Sequence, residues 1–254
     1  MCWSSVQPAA SGALSSSKRS GQATRYERSS AIRPRRGGSR LERRSWSVTS
    51  RSRRHLGAVE GGDAIVFTHG SDGGGKVGSE AVDYGGVRNV LTALGSRPAH
   101  IALMTAIGVT NRTGDYNRRT EAHDWKRRSE RLVRASGKPY TIVRPGWFDY
   151  NKPNEHHLVL LQGDKRQAGD SSDGVIARRQ IAEVLVRSLT SPQAERKTFE
   201  LVAAAGAEQG DFEPLFGALD TDPPGSVDAV HDTPNMPMDD EPQRVRDDRD
   251  AVRR

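Results

Sequence analysis

The sequence predicts an α/β domain built on a parallel sheet with helical crossovers. From residue 63 to 202, short apolar runs suited to buried strands alternate with amphipathic helical patterns in the order strand, helix, strand, helix, strand, helix, strand. The runs are rich in β-branched and aromatic residues, and glycines stand where two of the helices must stop, at Gly95 and Gly137. In such sheets ligands gather at the carboxyl ends of the strands, which puts the expected site beside Thr68, Thr105 and Pro145.

The first strand is residues 63–68 (DAIVFT), a compact apolar run bounded by Gly61, Gly62 and Gly70. The next stretch, SDGGGKVG at 71–78, reads as a flexible loop. It lacks the Gly-Lys-Ser/Thr ending of a phosphate-binding P-loop and predicts no helix directly after it, so it suits a mobile lip better than an anion nest. Residues 82–94 form a helix with Val87, Val90, Leu91 and Leu94 on one stripe. The second strand, residues 100–104, carries Ile101, Leu103 and Met104 and delivers Thr105 to its end. A polar loop is expected over 111–123.

The following helix places Trp125, Leu132 and Val133 at helical spacing, with Lys126, Arg127, Arg128, Glu130, Arg131 and Arg134 on the remaining faces. Gly137 is its C-cap residue, and Pro139 forbids continuation. Tyr140, Thr141, Ile142 and Val143 make a buried strand leaving through Arg144, Pro145 and Gly146. Residues 147–154 are irregular and aromatic, suited to lining a pocket. His156 and His157 are adjacent, so on a strand they face opposite ways and make a poor metal pair. A helix over 177–189 and a last strand over 198–202 complete the pattern, and Phe212, Leu215, Phe216 and Leu219 suit one short docking helix.

Three regions follow: a basic disordered segment at 1–57, the α/β domain at 58–205, and an acidic, Pro-containing, mostly mobile tail at 206–254. The formal charge of +7 belongs to the first of these. Residues 1–58 hold 13 Lys and Arg against two acids, Glu27 and Glu42, leaving 26 basic and 30 acidic residues elsewhere. Nucleic-acid binding is therefore not expected, although a basic arm would confer salt-sensitive affinity. No apolar run reaches the roughly 20 residues needed to span a bilayer, and no signal-peptide core is present. A single cysteine, Cys2, precludes an internal disulfide framework, so a cytoplasmic location is expected.

The run Lys126, Glu130, Ser136-Gly137 and Tyr140-Thr141-Ile142-Val143-Arg144-Pro145-Gly146 resembles the atypical short-chain dehydrogenase/reductases, specifically their NAD(P)H-binding, NmrA-like branch. Asp63-Ala64-Ile65-Val66 before a turn, Asp83 and Gly86 at the head of the next helix, and the late helix at 177–189 support the resemblance, which covers residues 58–202. It implies a Rossmann-like domain binding NAD(P), N-terminally incomplete, with a small-molecule substrate. Lys126 takes the place of the active-site lysine that hydrogen-bonds the nicotinamide ribose, and Thr105 that of the strand-end serine or threonine. Thr68, His69 and Gly70 would approach the adenosine side of the cofactor, and Pro145 and Gly146 the nicotinamide.

Two departures stand out. The tyrosine that supplies a proton four residues before the lysine is replaced by Ala122, and Tyr116 is the nearest loop tyrosine. No Gly-x-x-Gly-x-x-Gly occurs in this reading frame. Residues 1–12, back-translated with GC-rich codons and displaced by one base, read Val-Leu-Val-Val-Gly-Ala-Thr-Gly-Ser-Ile-Gly, a strand entering a dinucleotide-type turn. The N-terminal segment is thus either a disordered basic arm or a frame-shifted translation of the first βαβ units. The resemblance implies hydride transfer on a small substrate, with a non-catalytic NAD(P)H sensor as the alternative.

Overall fold

Successive strand side chains point to opposite faces, and in the central strands both faces find a partner. The computed structural model describes residues 63–71 and 73–253, all within one compact unit. The basic segment at 1–57 and its frame-shift reading lie outside the described residues.

In chain order the elements are β1 (Ala64–Phe67), α1 (Gly75–Gly78), a π-helical turn (Ser79–Tyr84), α2 (Gly85–Leu94), β2 (His100–Met104), α3 (Asp115–Thr120), α4 (Ala122–Ala135) and β3 (Tyr140–Pro145). They are followed by β4 (Trp147–Phe148), β5 (His157–Leu161), β6 (Val175–Ile176), α5 (Arg178–Ser188), β7 (Lys197–Ala204), α6 (Glu213–Gly217) and α7 (Gln243–Val252). The sheet order is β1-β2-β3-β7-β6-β4, and β5 also pairs with β7. β1, β2, β3 and β7 are mutually parallel, in the register Phe67 to Leu103, Leu103 to Ile142 and Ile142 to Thr198.

Ile101, Leu103 and Ile142 turn to one face and pack with Val87, Leu91, Trp125, Leu132 and Val133 of α2 and α4. Ala102 and Val143 turn to the other, against Ile181, Val184 and Leu185 of α5 and Phe216 of α6. Helical cover on both faces is why β2 and β3 read as nearly continuous apolar runs, whereas β1, expected as a buried strand, ends the described sheet with Ala64 and Val66 exposed.

The structure departs from the sequence-based expectations in four places. The sheet is mixed, because β5 and β6 run antiparallel to β7. A helix begins inside the Gly-rich stretch, at Gly75, and continues as the π-helical turn. The polar loop over 111–123 contains α3 and the first residues of α4.

The largest departure concerns the segment at 206–254. Where composition predicts a mostly mobile tail, residues 206–253 dock on the domain. Phe212, Phe216 and Leu219 are buried around α6, as their spacing predicts, and Met236 and Val245 are buried further on. The electrostatic reason is on α4, whose arginines read from sequence as a solvated face. Arg127, Arg128, Arg131 and Arg134 are all buried. Asp228 bridges Arg127 at 3.0 Å and Arg131 at 2.7 Å, Glu241 holds Arg128 at 2.6 Å, and Asp222 holds Arg134 at 3.2 Å. Buried guanidiniums require such partners, and the acidic tail supplies them.

Candidate active site

Two helical elements meet over the carboxyl end of β1. One is the π-helical turn, in which the widened ring places Asp83 facing inward; its side chain is 1% exposed. The other is the N-terminal half of α4, whose second turn projects Lys126. Lys126 Nζ lies 2.6 Å from Asp83 Oδ1. The same oxygen accepts the backbone amide of Ser71 at 3.2 Å, tying the loop after β1 to the pair. Asp83 Oδ2 is buried and has no hydrogen-bond partner among the described residues. Leaving a buried acceptor unsatisfied costs about 1–3 kcal/mol, so such an atom calls for an explanation.

Thr68 and Gly70 are exposed on the same loop, and His69 between them is half-buried. The His69 ring stands edge-on to Phe67, with centroids 5.7 Å apart. Burial holds its pKa below the ordinary histidine value despite the carboxylate of Asp83, and the nearby Lys126 charge adds to the lowering. The imidazole is therefore neutral at pH 7.

Thr105 is placed differently from its neighbours in the resemblance. It is buried at the end of β2, and its hydroxyl donates to Glu130 Oε1 at 2.7 Å, one helical turn beyond Lys126. Glu130 is itself held by Arg144, through Nε at 3.0 Å and Nη2 at 2.7 Å. Arg144 also reaches Asp232 at 2.7 Å and Glu200 at 3.4 Å, so it is a structural ion-pair hub rather than a substrate clamp. One guanidinium cannot fully compensate so many carboxylates. Burial prevails over the opposing charge of Arg144 and raises the pKa of Glu200 to about 7, with the charges of Asp164 and Asp232 adding to the rise.

Pro145 and Gly146 close β3 and are both buried. The Pro145 carbonyl accepts the Ile107 amide at 3.0 Å, and the Gly146 amide donates to Leu201. A Cβ at position 146 would collide with the Gly174 backbone, which is why glycine is required there. Beyond Ile107 lies a cavity of 190 Å³, lined also by Leu161, Gln162, Lys165, Arg166 and Glu200.

The structure thus brings Lys126 together with the loop at Thr68, His69 and Gly70. It puts Pro145 and Gly146 at the end of β3, two strands across the sheet from β1, and ties Thr105 into the Glu130 and Arg144 network. Ala122 is buried at the first position of α4 and bears no proton donor. Tyr116 packs against the His123 ring, with centroids 5.2 Å apart. The residue that sequence reasoning did not assign to the site is Asp83; its signal was an acid within a Val-Asp-Tyr-Gly-Gly helix start.

Residues 29–192 match the model of a family described as NAD(P)H-binding. The match includes residues 29–57, which composition alone assigns to the basic segment. Sanguinarine reductase of Eschscholzia californica is 30% identical over 148 residues, covering 56% of this chain and 54% of the relative. The uncharacterized sugar epimerase YhfK of Bacillus subtilis is 29% identical over 148 residues, covering 57% and 64%. The chain spans about half to two-thirds of the length of these relatives. Among solved structures, a putative NAD-dependent epimerase/dehydratase from Bacillus halodurans superposes with a TM-score of 0.52 at 20% identity, covering 65% of this chain and 73% of that one. The oxidoreductase ylbE from Lactococcus lactis gives 0.51 at 16% identity, covering 66% and 74%. These likenesses show a Rossmann-like fold, and the family match, which takes in well over half of the residues, shows that the chain belongs to the NAD(P)H-binding family.

Proposed function

We propose that this chain is an NAD(P)-dependent oxidoreductase of the short-chain dehydrogenase type, acting on a small carbonyl, alcohol or quinone-like substrate. The observation that carries the reading is the Lys126 and Asp83 pair at the carboxyl end of β1, in a chain of an NAD(P)H-binding family. The residues present fit the ribose end of the cofactor, because a buried carboxylate oxygen without a partner stands beside an ammonium with N–H groups to spare. Lys126 would donate to the ribose hydroxyls. Thr68, His69 and Gly70 would border the adenosine side, and the Pro145-Gly146 backbone would wall the nicotinamide.

NAD(P), when bound, supplies the hydride chemistry, and the protein orients it and excludes water. The cavity beyond Ile107, whose amide donates to the Pro145 carbonyl, offers space for a small substrate. Thr105 acts in this scheme through Glu130, fixing the first turns of α4 and hence Lys126. Ala122 leaves the usual phenolic proton donor without a counterpart, and this favours the sensor reading as the alternative: dinucleotide binding without turnover.

The test is a fluorescence titration with NADPH and NADH, followed by cofactor oxidation with a panel of quinones, ketones and aldehydes. Saturable binding with turnover of any panel member supports the oxidoreductase. Binding with no turnover transfers support to the sensor, and absence of binding overturns both.

A further inference from the structure

Asp83 is a buried carboxylate of which the protein uses one half. Oδ1 accepts from Lys126 Nζ at 2.6 Å and from the Ser71 amide at 3.2 Å, while Oδ2, equally buried, accepts nothing from the described residues. The carboxylate is not placed there by an ordinary α-helical turn. It stands on the π-helical turn Ser79–Tyr84, a local widening that recurs where a side chain must be re-aimed toward a ligand.

The chemistry around Oδ2 narrows what satisfies it. A carboxylate oxygen only accepts and an ammonium only donates, whereas a hydroxyl does both. The Lys126 side chain is 16% exposed, and its ammonium carries N–H groups beyond the one given to Asp83. His69, the other titratable group of this loop, is held neutral by burial and brings no second positive charge. A vicinal diol fits this pair of neighbours: one hydroxyl donates to the carboxylate, and the other accepts from the ammonium.

We infer that Asp83 is a ligand of the cofactor's nicotinamide ribose, with Oδ2 accepting from one hydroxyl of the diol while Lys126 donates to the other. The pair, rather than the lysine alone, then reads the ribose. This inference rests on the dinucleotide-binding reading given above, and it assigns to Asp83 a contact beyond its ion pair with Lys126.

The experiment uses the full chain. NADPH binding is followed by fluorescence, and bound NADPH is then displaced by ADP-ribose and, separately, by ADP, which lacks the second ribose. The wild type is expected to prefer ADP-ribose over ADP by about tenfold, the equivalent of one good charge-assisted hydrogen bond. Asp83→Ala is expected to lose most of that preference, the remainder resting on Lys126. Asp83→Asn retains an oxygen for Lys126 and Ser71 and so guards against loss of folding, which thermal melting checks; it is expected to reduce the preference about threefold, because an amide N–H replaces the acceptor. A preference unchanged in folded Asp83→Asn overturns the inference and leaves a water as the partner of Oδ2. Failure of the wild type to bind NADPH instead overturns the dinucleotide reading itself, and the inference with it.

Discussion

At the scale of single residues, Asp228 shows how the buried arginines are tolerated. Its two oxygens serve Arg127 and Arg131 at once, and both guanidiniums are almost fully buried. Burial alone would raise its pKa, but the hydrogen bonds and charges of Arg131 and Arg127 prevail and bring it down to about 2. Because the folded value lies below the unfolded one, the stability it contributes is present above about pH 4 and is lost as pH falls toward 2. The shift corresponds to about 2 kcal/mol. Asp228→Asn should therefore lower the urea-unfolding free energy by about that much at pH 6, and the gap to wild type should close between pH 4 and pH 2. A gap independent of pH would show that the charge is not its source. Thr105 makes a complementary point: a strand-end hydroxyl was legible as a candidate site residue, but that it donates to Glu130, 25 residues on, was not.

At the scale of elements, α4 is held from both sides. Its apolar stripe packs on the sheet, and its basic side is covered by the segment that ends in α7. α7 buries Val245 in the core that contains Trp125. It also bonds Asp248 to the Tyr84 hydroxyl at 2.9 Å and lays Arg244 over the Trp125 ring. Tyr84 and Trp125 belong to the elements that carry Asp83 and Lys126, so α7 braces the candidate site from outside. Ending the chain after Pro242 removes the burial of Val245 and these polar contacts, about 3 kcal/mol in all. The expected result is a melting temperature lower by about 6–12 °C, with weaker NADPH binding in parallel. An unchanged melting temperature would show that α7 adds nothing to the domain. α4 as a helix was legible from its stripe and its Gly137 stop. Its burial was not, because an arginine-rich face reads as solvated until its carboxylates are located.

At the scale of the whole molecule, the proposed function assigns the nicotinamide side of a dinucleotide site to the parallel strands and their crossovers, and no Gly-x-x-Gly-x-x-Gly is present in the sequence to supply the pyrophosphate side. If residues 1–57 are a displaced frame of the first βαβ units, a chain carrying the restored frame should bind NADPH at least tenfold more tightly than the chain as written, a difference of about 1.4 kcal/mol. Equal affinities, measured by fluorescence titration, would remove the frame-shift reading. The sequence by itself determined the order of strands and helices from residue 63 to 202, the glycine stops and the family, because hydrophobic periodicity and turn chemistry are local properties of a chain. Only the tertiary structure decided which carboxylate meets which guanidinium, that the acidic segment after residue 206 covers α4, that β5 runs antiparallel against β7, and that Asp83 stands against Lys126. The pairs Lys126–Asp83 and Arg127–Asp228 join residues 43 and 101 positions apart, and the free energy of a buried charge depends on the partner that folding brings to it, which no local pattern of residues records.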